Sequence, residues 1–103
     1  MPSSMREKKR YIEFELFCDK PLKEKDVSFY LWKQMLFTFG ELGTAKQRLW
    51  LAGFNSETNT GILRCTLSTV EEVKAGMLFL REVRNKTVVP KILKVSGTIK
   101  SLK

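Results

Sequence analysis

The stretch Arg10 to Cys18, RYIEFELFC, alternates with period two, placing Ile12, Phe14, Leu16 and Cys18 on one face and Tyr11, Glu13, Glu15 and Phe17 on the other. That is the pattern of a strand with one buried face, and such a strand needs a covering layer. After a break at Asp19 to Pro21, a helical pattern runs from about Leu22 or Asp26 to Phe39, with Gly40 as its stop. Gly40-Glu41-Leu42-Gly43 reads as a turn, and Thr44 to Arg48 as a short helical stub. Leu49 to Phe54 and Gly61 to Leu67 read as two more strands, and the all-polar Asn55 to Thr60 between them predicts a hairpin with a mobile tip. Ser68 with Glu71 and Thr69 with Glu72 form overlapping capping boxes. They open a second helix that carries Val70, Val73, Gly76, Met77, Leu80, Val83 and Phe79 on one face, to about Arg84. The last strand spans about Val88 to Val95, where Pro90 suits an edge because it cannot donate to a ladder.

The order is therefore strand, helix, strand, strand, helix, strand. Two right-handed β-α-β connections with both helices on one face give an α+β sandwich of the ferredoxin-like or RNA-recognition-motif-like kind, with a four-stranded antiparallel sheet. A chain of 103 residues holds one such domain, from residue 10 to 103, behind a polar, basic arm at residues 1–9 that is expected to be flexible. In this topology the fourth strand lies antiparallel beside the first.

That neighbourhood matters for charge. The chain carries a net +8, and the excess sits at its two ends: Arg6, Lys8, Lys9 and Arg10 against Glu7 at the start, and six basic residues with no acidic one after Glu82. Pairing the first and fourth strands brings Lys8, Lys9 and Arg10 toward Lys91, Lys94, Lys100 and Lys103, with Gly97 as a corner where backbone can turn or approach closely. One basic edge of this kind neutralises phosphates by counterion release and points to a polyanionic partner. Stacking of bases on the sheet is disfavoured, because Glu13 and Glu15 stand in the middle of the first strand's outer face. Arg64 is expected to pair with one of them.

The first helix is over-wide in its apolar arc. Val27, Leu31, Met35, Phe39, Trp32, Leu36 and Phe29 cover about 200°, where roughly 100° suffices to cover one surface. Phe29, Trp32, Leu36 and Phe39 are thus candidates for contact with a protein partner.

Several chemistries are excluded or weakened. The chain has no histidine, so Ser-His-Asp and Cys-His constellations are absent and a metal site has only carboxylates to draw on. Cys18 and Cys65 are isolated, lack metal-binding spacing, and read as reduced core thiols of a cytoplasmic protein. No phosphate-cradling loop of the Walker type is present, and the loop Asp19 to Lys23 lacks the glycines and arginine of small phosphatases on this fold. No window approaches the length of a membrane span. The isolated chain is not expected to catalyse a reaction, to bind a cofactor or to hold a metal.

Four strings in order, Arg10-Tyr11-Ile12-x-Phe14-Glu15, Phe39-Gly40-Glu41-Leu42-Gly43, Gly61-Ile62-Leu63-Arg64-Cys65 and Ser96-Gly97-Thr98-Ile99-Lys100, resemble the small ribonuclease P subunit family called ribonuclease P protein component 2 in archaea. The resemblance covers nearly the whole chain from Arg10. It implies a non-catalytic subunit of a ribonucleoprotein endonuclease that removes 5′ leaders from precursor tRNA, with magnesium used by the catalytic RNA. It also implies partners: ribonuclease P RNA, a barrel-shaped ribonuclease P protein, other ribonuclease P proteins, and self-association within the assembly. The competing expectation is a small ligand-binding or regulatory domain on the same fold that dimerises. Salt separates them, because phosphate binding weakens steeply with salt and apolar dimerisation does not.

Overall fold

The computed structural model describes residues 8–98. Among them the chain forms β1 (Lys9–Phe17), α1 (Glu24–Gln47), β2 (Trp50–Asn55), β3 (Thr60–Thr66), a 3₁₀ turn (Leu67–Thr69), α2 (Val70–Leu78), a short hairpin of β4 (Glu82–Val83) and β5 (Lys86–Thr87), and β6 (Val89–Ser96). The main sheet has the order β2-β3-β1-β6 and is antiparallel throughout. This is the expected sandwich with one added hairpin. Ile12, Phe14 and Leu16 of β1 and Leu63 and Cys65 of β3 are buried against Val27, Leu31 and Met35 of α1 and Val73 and Met77 of α2. The period-two and period-3.6 patterns thus meet in a single core. The two helices approach closely because Gly76 has no side chain: a Cβ there would stand 2.6 Å from Met35 Sδ and 3.0 Å from Phe39 Cε2.

Four local expectations need correction. Gly40 breaks the helical backbone where the stop was expected but does not end α1. It adopts φ 74° and ψ 178°, a conformation open to glycine, and the chain then resumes as helix through Glu41–Gln47. The turn plus stub is replaced by a kink, and the helix beyond it is tied to the sheet where the Lys46 carbonyl accepts a hydrogen bond from Thr66 Oγ1 at the end of β3. The capping boxes do not form either. Thr69 is the residue that caps α2, but its hydroxyl is turned back to the Thr66 carbonyl (3.1 Å) and lies 2.8 Å from Thr66 Oγ1.

The second helix ends at Leu78 rather than near Arg84. Arg84 and Asn85 both take positive φ (47° and 66°), which suits a two-residue hairpin turn, and the Asn85 N–H donates to Glu82 Oε2 at 3.1 Å. Arg81 closes the helix by donating from its guanidinium to the Leu78 and Leu80 carbonyls. Leu80 and Val83 are buried as the helical face required, but a turn and a strand put them there.

The tip between β2 and β3 is pinned rather than free. Asn59, 8% exposed and at φ 54°, donates from Nδ2 to the Lys20 carbonyl and accepts from the Leu22 N–H through Oδ1, both at 3.0 Å. Its own carbonyl accepts from the Leu16 N–H at 2.9 Å, and Ser56 Oγ donates to the Leu22 carbonyl at 2.6 Å. The hairpin therefore clamps the connection from β1 to α1. Replacing Asn59 with alanine strands the buried Leu22 N–H, worth about 1–3 kcal/mol, removes the partner of the part-buried Lys20 carbonyl, and forfeits a side chain tolerant of positive φ. Chemical denaturation is expected to show a loss of about 2–4 kcal/mol, whereas Glu57→Ala at the exposed tip should change little.

Candidate functional site

The register of β1 against β6 runs Tyr11 opposite Ser96, Ile12 opposite Val95 and Glu13 opposite Lys94, then shifts at a bulge so that Glu15 faces Lys91 and Phe17 faces Val89. The start of β1 therefore lies beside the end of β6. Arg10 shows the closeness directly: its guanidinium lies over Gly97, with Nη1 3.4 Å from the position of a Cβ built there, and Nη1 also donates to the Lys9 carbonyl at 2.8 Å. Lys8 and Lys9 are exposed, and the Lys8 carbonyl accepts from the Leu67 N–H at 2.7 Å, which joins the beginning of β1 to the turn before α2. The ordered sheet thus begins within the arm expected at residues 1–9; the rest of that arm, with Lys100 and Lys103, lies outside the described residues.

The remaining candidates are spread along the edge. At about 3.3 Å per residue, Lys94 stands roughly 13 Å along the sheet from Lys9, and Lys91 roughly 20 Å, each opposite a glutamate of β1. Lys8, Lys9 and Arg10 form the concentrated end, beside Gly97. Lys94 and Lys91 extend it with charge shared with Glu13 and Glu15.

Arg64 does not form an ion pair with either glutamate. Salt bridges among the described residues join Lys74 to Glu71 and Arg84 to Asp26, the latter at 3.3 Å. The register is the reason: Arg64 faces Tyr11 on one side and Trp50 on the other, while Glu13 faces Ile62 and Glu15 faces Thr60. The Arg64 guanidinium instead lies over the Trp50 ring, 5.7 Å from its centroid.

On the helical layer, the proposed partner residues divide. Phe29 and Trp32 are exposed and, with Trp50 and Leu51, wall a groove of about 710 Å³ between α1 and the edge strand β2. Leu36 is half-buried, and Phe39 packs inward against Gly76 and the core. Sequence reasoning missed Phe37, 87% exposed, and Phe79, 59% exposed, which line a second cleft of about 310 Å³ with Tyr30, Lys33 and Arg81. Phe79 was hidden by the over-long helix expected there. Phe37 lies with Tyr30 outside the apolar arc of α1, and a phenylalanine off that arc was the available signal.

Both cysteines are free, with Cys65 buried. Burial pushes its thiol up to about 11, with the neighbouring Thr69 hydroxyl opposing the rise and the charge of Glu72 adding to it. A raised thiol keeps its proton in the folded chain after the unfolded chain has lost it, so its contribution is complete below about pH 9 and drains away as pH climbs toward about 11. The stability difference between the chain and Cys65→Ala is expected to shrink over that window in denaturation measured pH by pH. A difference that stays constant contradicts it. Among the described residues, no three His, Cys, Asp or Glu side chains group to hold a metal ion, and no helix is long and apolar enough to cross a membrane.

A family model described as the Rpp14/Pop5 family matches residues 10–103. Proteins named ribonuclease P protein component 2 are similar over the full length of this chain: 38% identical in Pyrococcus furiosus, covering 86% of that protein, 41% in Methanocaldococcus jannaschii, covering 75%, and 37% in Archaeoglobus fulgidus, covering 92%. A chain in a cryo-EM structure of yeast ribonuclease MRP superposes on 91% of this chain and 76% of its own length with a TM-score of 0.69. At 10% identity that is a likeness of fold.

Proposed function

The chain belongs to the Rpp14/Pop5 family, and from that premise we propose that it is a non-catalytic protein subunit of ribonuclease P, assisting a catalytic RNA in removing 5′ leaders from precursor tRNA. The observation that carries this reading is the full-length similarity to proteins named ribonuclease P protein component 2. The geometry fits it. A basic end at the start of β1, with Lys94 farther along the neighbouring strand, suits phosphates, and phosphate contacts position a protein on RNA without reading its sequence.

Magnesium belongs to the RNA in this account. Lys8, Lys9, Arg10 and Lys94 screen phosphates that crowd together when the RNA folds, and so lower the magnesium concentration at which its active form persists. The helical layer serves the protein partner. Phe29 and Trp32 on one side of α1, and Phe37 and Phe79 on the other, are the exposed aromatics that a barrel-shaped ribonuclease P protein would cover.

Two binding measurements test these roles. The chain should bind ribonuclease P RNA in preference to an unrelated RNA of equal length when both compete, and equal binding contradicts a subunit role. Co-expression with the partner protein should recover a complex that is lost in Phe29→Ser/Trp32→Ser or in Phe37→Ser/Phe79→Ser, the folded state of each variant being checked by circular dichroism. If both double variants are recovered like the parent, the helical layer is not the partner face.

A further inference from the structure

One register row crosses the open face of the sheet from β6 to β2: Ser96, Tyr11, Arg64, Trp50. Three of its members offer flat, polarisable surface. Trp50 is 59% exposed on the edge strand, Arg64 lies over its ring, and Tyr11 flanks Arg64 on the other side, half-buried. Arg64 Nε is buried with no hydrogen-bond partner among the described residues, so its position rests on packing between neighbours rather than on a carboxylate. Strands stand about 4.8 Å apart, which puts Tyr11 and Trp50 roughly 10 Å from each other with the guanidinium between.

The glutamates that disfavour nucleic acid on this face belong to other rows. Glu13 lies between Lys94 and Ile62, and Glu15 between Lys91 and Thr60. Each has a lysine beside it. Lys9, by contrast, follows Tyr11 on the same face, and Arg10 and Gly97 adjoin it. The aromatic row therefore opens onto the concentrated basic end, with the acidic rows on its far side.

We propose that Tyr11, Arg64 and Trp50 form a stacking platform for unpaired RNA bases, continuous with the phosphate-binding end at Lys8, Lys9 and Arg10. The platform rests on the reading of this chain as an RNA-binding subunit and adds the RNA's class: single-stranded nucleotides, whose free π-faces a ring and a planar guanidinium can cover. Base–aromatic stacking is tolerant of sequence, so the platform holds an unpaired segment without specifying it.

The chain has two tryptophans, Trp32 and Trp50, so Trp32→Phe leaves Trp50 as the sole reporter. In that background a short uridine oligonucleotide is expected to quench Trp50 emission, and a blunt RNA duplex of the same length is not. Tyr11→Ala and Arg64→Lys should each weaken oligonucleotide binding about tenfold while leaving its salt slope unchanged, since neither removes a charge. Thermal melts establish that both variants fold. If Lys8→Ala/Lys9→Ala/Arg10→Ala weakens binding but Trp50 is not quenched and the row variants bind like the parent, the platform fails and the RNA-binding reading stands. If Trp50 responds to the partner protein and not to RNA, the row is a protein contact and the platform fails. If neither single strand nor duplex binds at any salt, the RNA-binding reading fails with it.

Discussion

Alanine at Lys8, Lys9, Arg10 and Lys94 together is expected to flatten the salt dependence of binding to ribonuclease P RNA. Each phosphate contact contributes about 0.7–0.9 to the slope of log affinity against log salt, so removing four should lower it by about three. The parent chain would then lose on the order of a hundredfold more affinity than the variant across a fourfold rise in salt. Lys91→Ala, roughly 20 Å from Lys9 along the sheet and opposite Glu15, should matter less. Filter binding over a potassium chloride series measures both. Parallel slopes for parent and quadruple variant would mean that the converging ends of the sheet do not carry the phosphate contacts.

Phe14→Ala is expected to cost about 3–5 kcal/mol, a large share of the roughly 5–15 kcal/mol that holds such a domain together. Phe14 is fully buried on the central strand β1, its ring centroid 6.3 Å from that of Phe54. Its Cζ stands 2.8 Å from the position of a Cβ built on Gly61, so the ring fills the space that Gly61 leaves on the neighbouring strand. Removing it opens a cavity over backbone that pairs on both sides, with Phe14 across one edge and Phe54 across the other. Those ladders limit collapse. Urea unfolding should show a sharply lower midpoint at an unchanged slope, and a loss below about 1 kcal/mol would contradict the packing described.

Much of the framework was legible because its patterns are long. Strict alternation from Tyr11 to Phe17 in β1, and helical periodicity through Val27, Leu31 and Met35, leave little choice of which faces meet. From strand order alone the start of the first strand had to lie beside the end of the last, and the register of Tyr11 with Ser96 shows that it does. What sequence could not give were features decided by single hydrogen bonds or by chain direction. Thr69 had two partners within reach, the helix ahead and the strand behind, and the Thr66 carbonyl won. Leu80 and Val83 satisfy a helical face and a hairpin equally well, so periodicity continued α2 past its end. Asn59 looked like part of a polar tip because its partners, Lys20 and Leu22, lie far back along the chain.

The candidate site divides in the same way. Charge could be placed from topology, whereas Arg64 required register, since a shift of one residue decides whether it meets glutamate or tryptophan. Trp50 was passed over for a related reason. It begins β2, and at a strand's first residue the alternation is too short to tell inner from outer face.

The account stands or falls on cleavage. Precursor-tRNA processing by the cognate ribonuclease P RNA and partner protein, at limiting magnesium, should be compared without this chain, with it, and with the Lys8, Lys9, Arg10 and Lys94 alanine variant. The account predicts that the chain raises the rate, that the variant largely fails to, and that added magnesium closes the gap between them. A chain that leaves the rate unchanged beside a demonstrably active partner contradicts it.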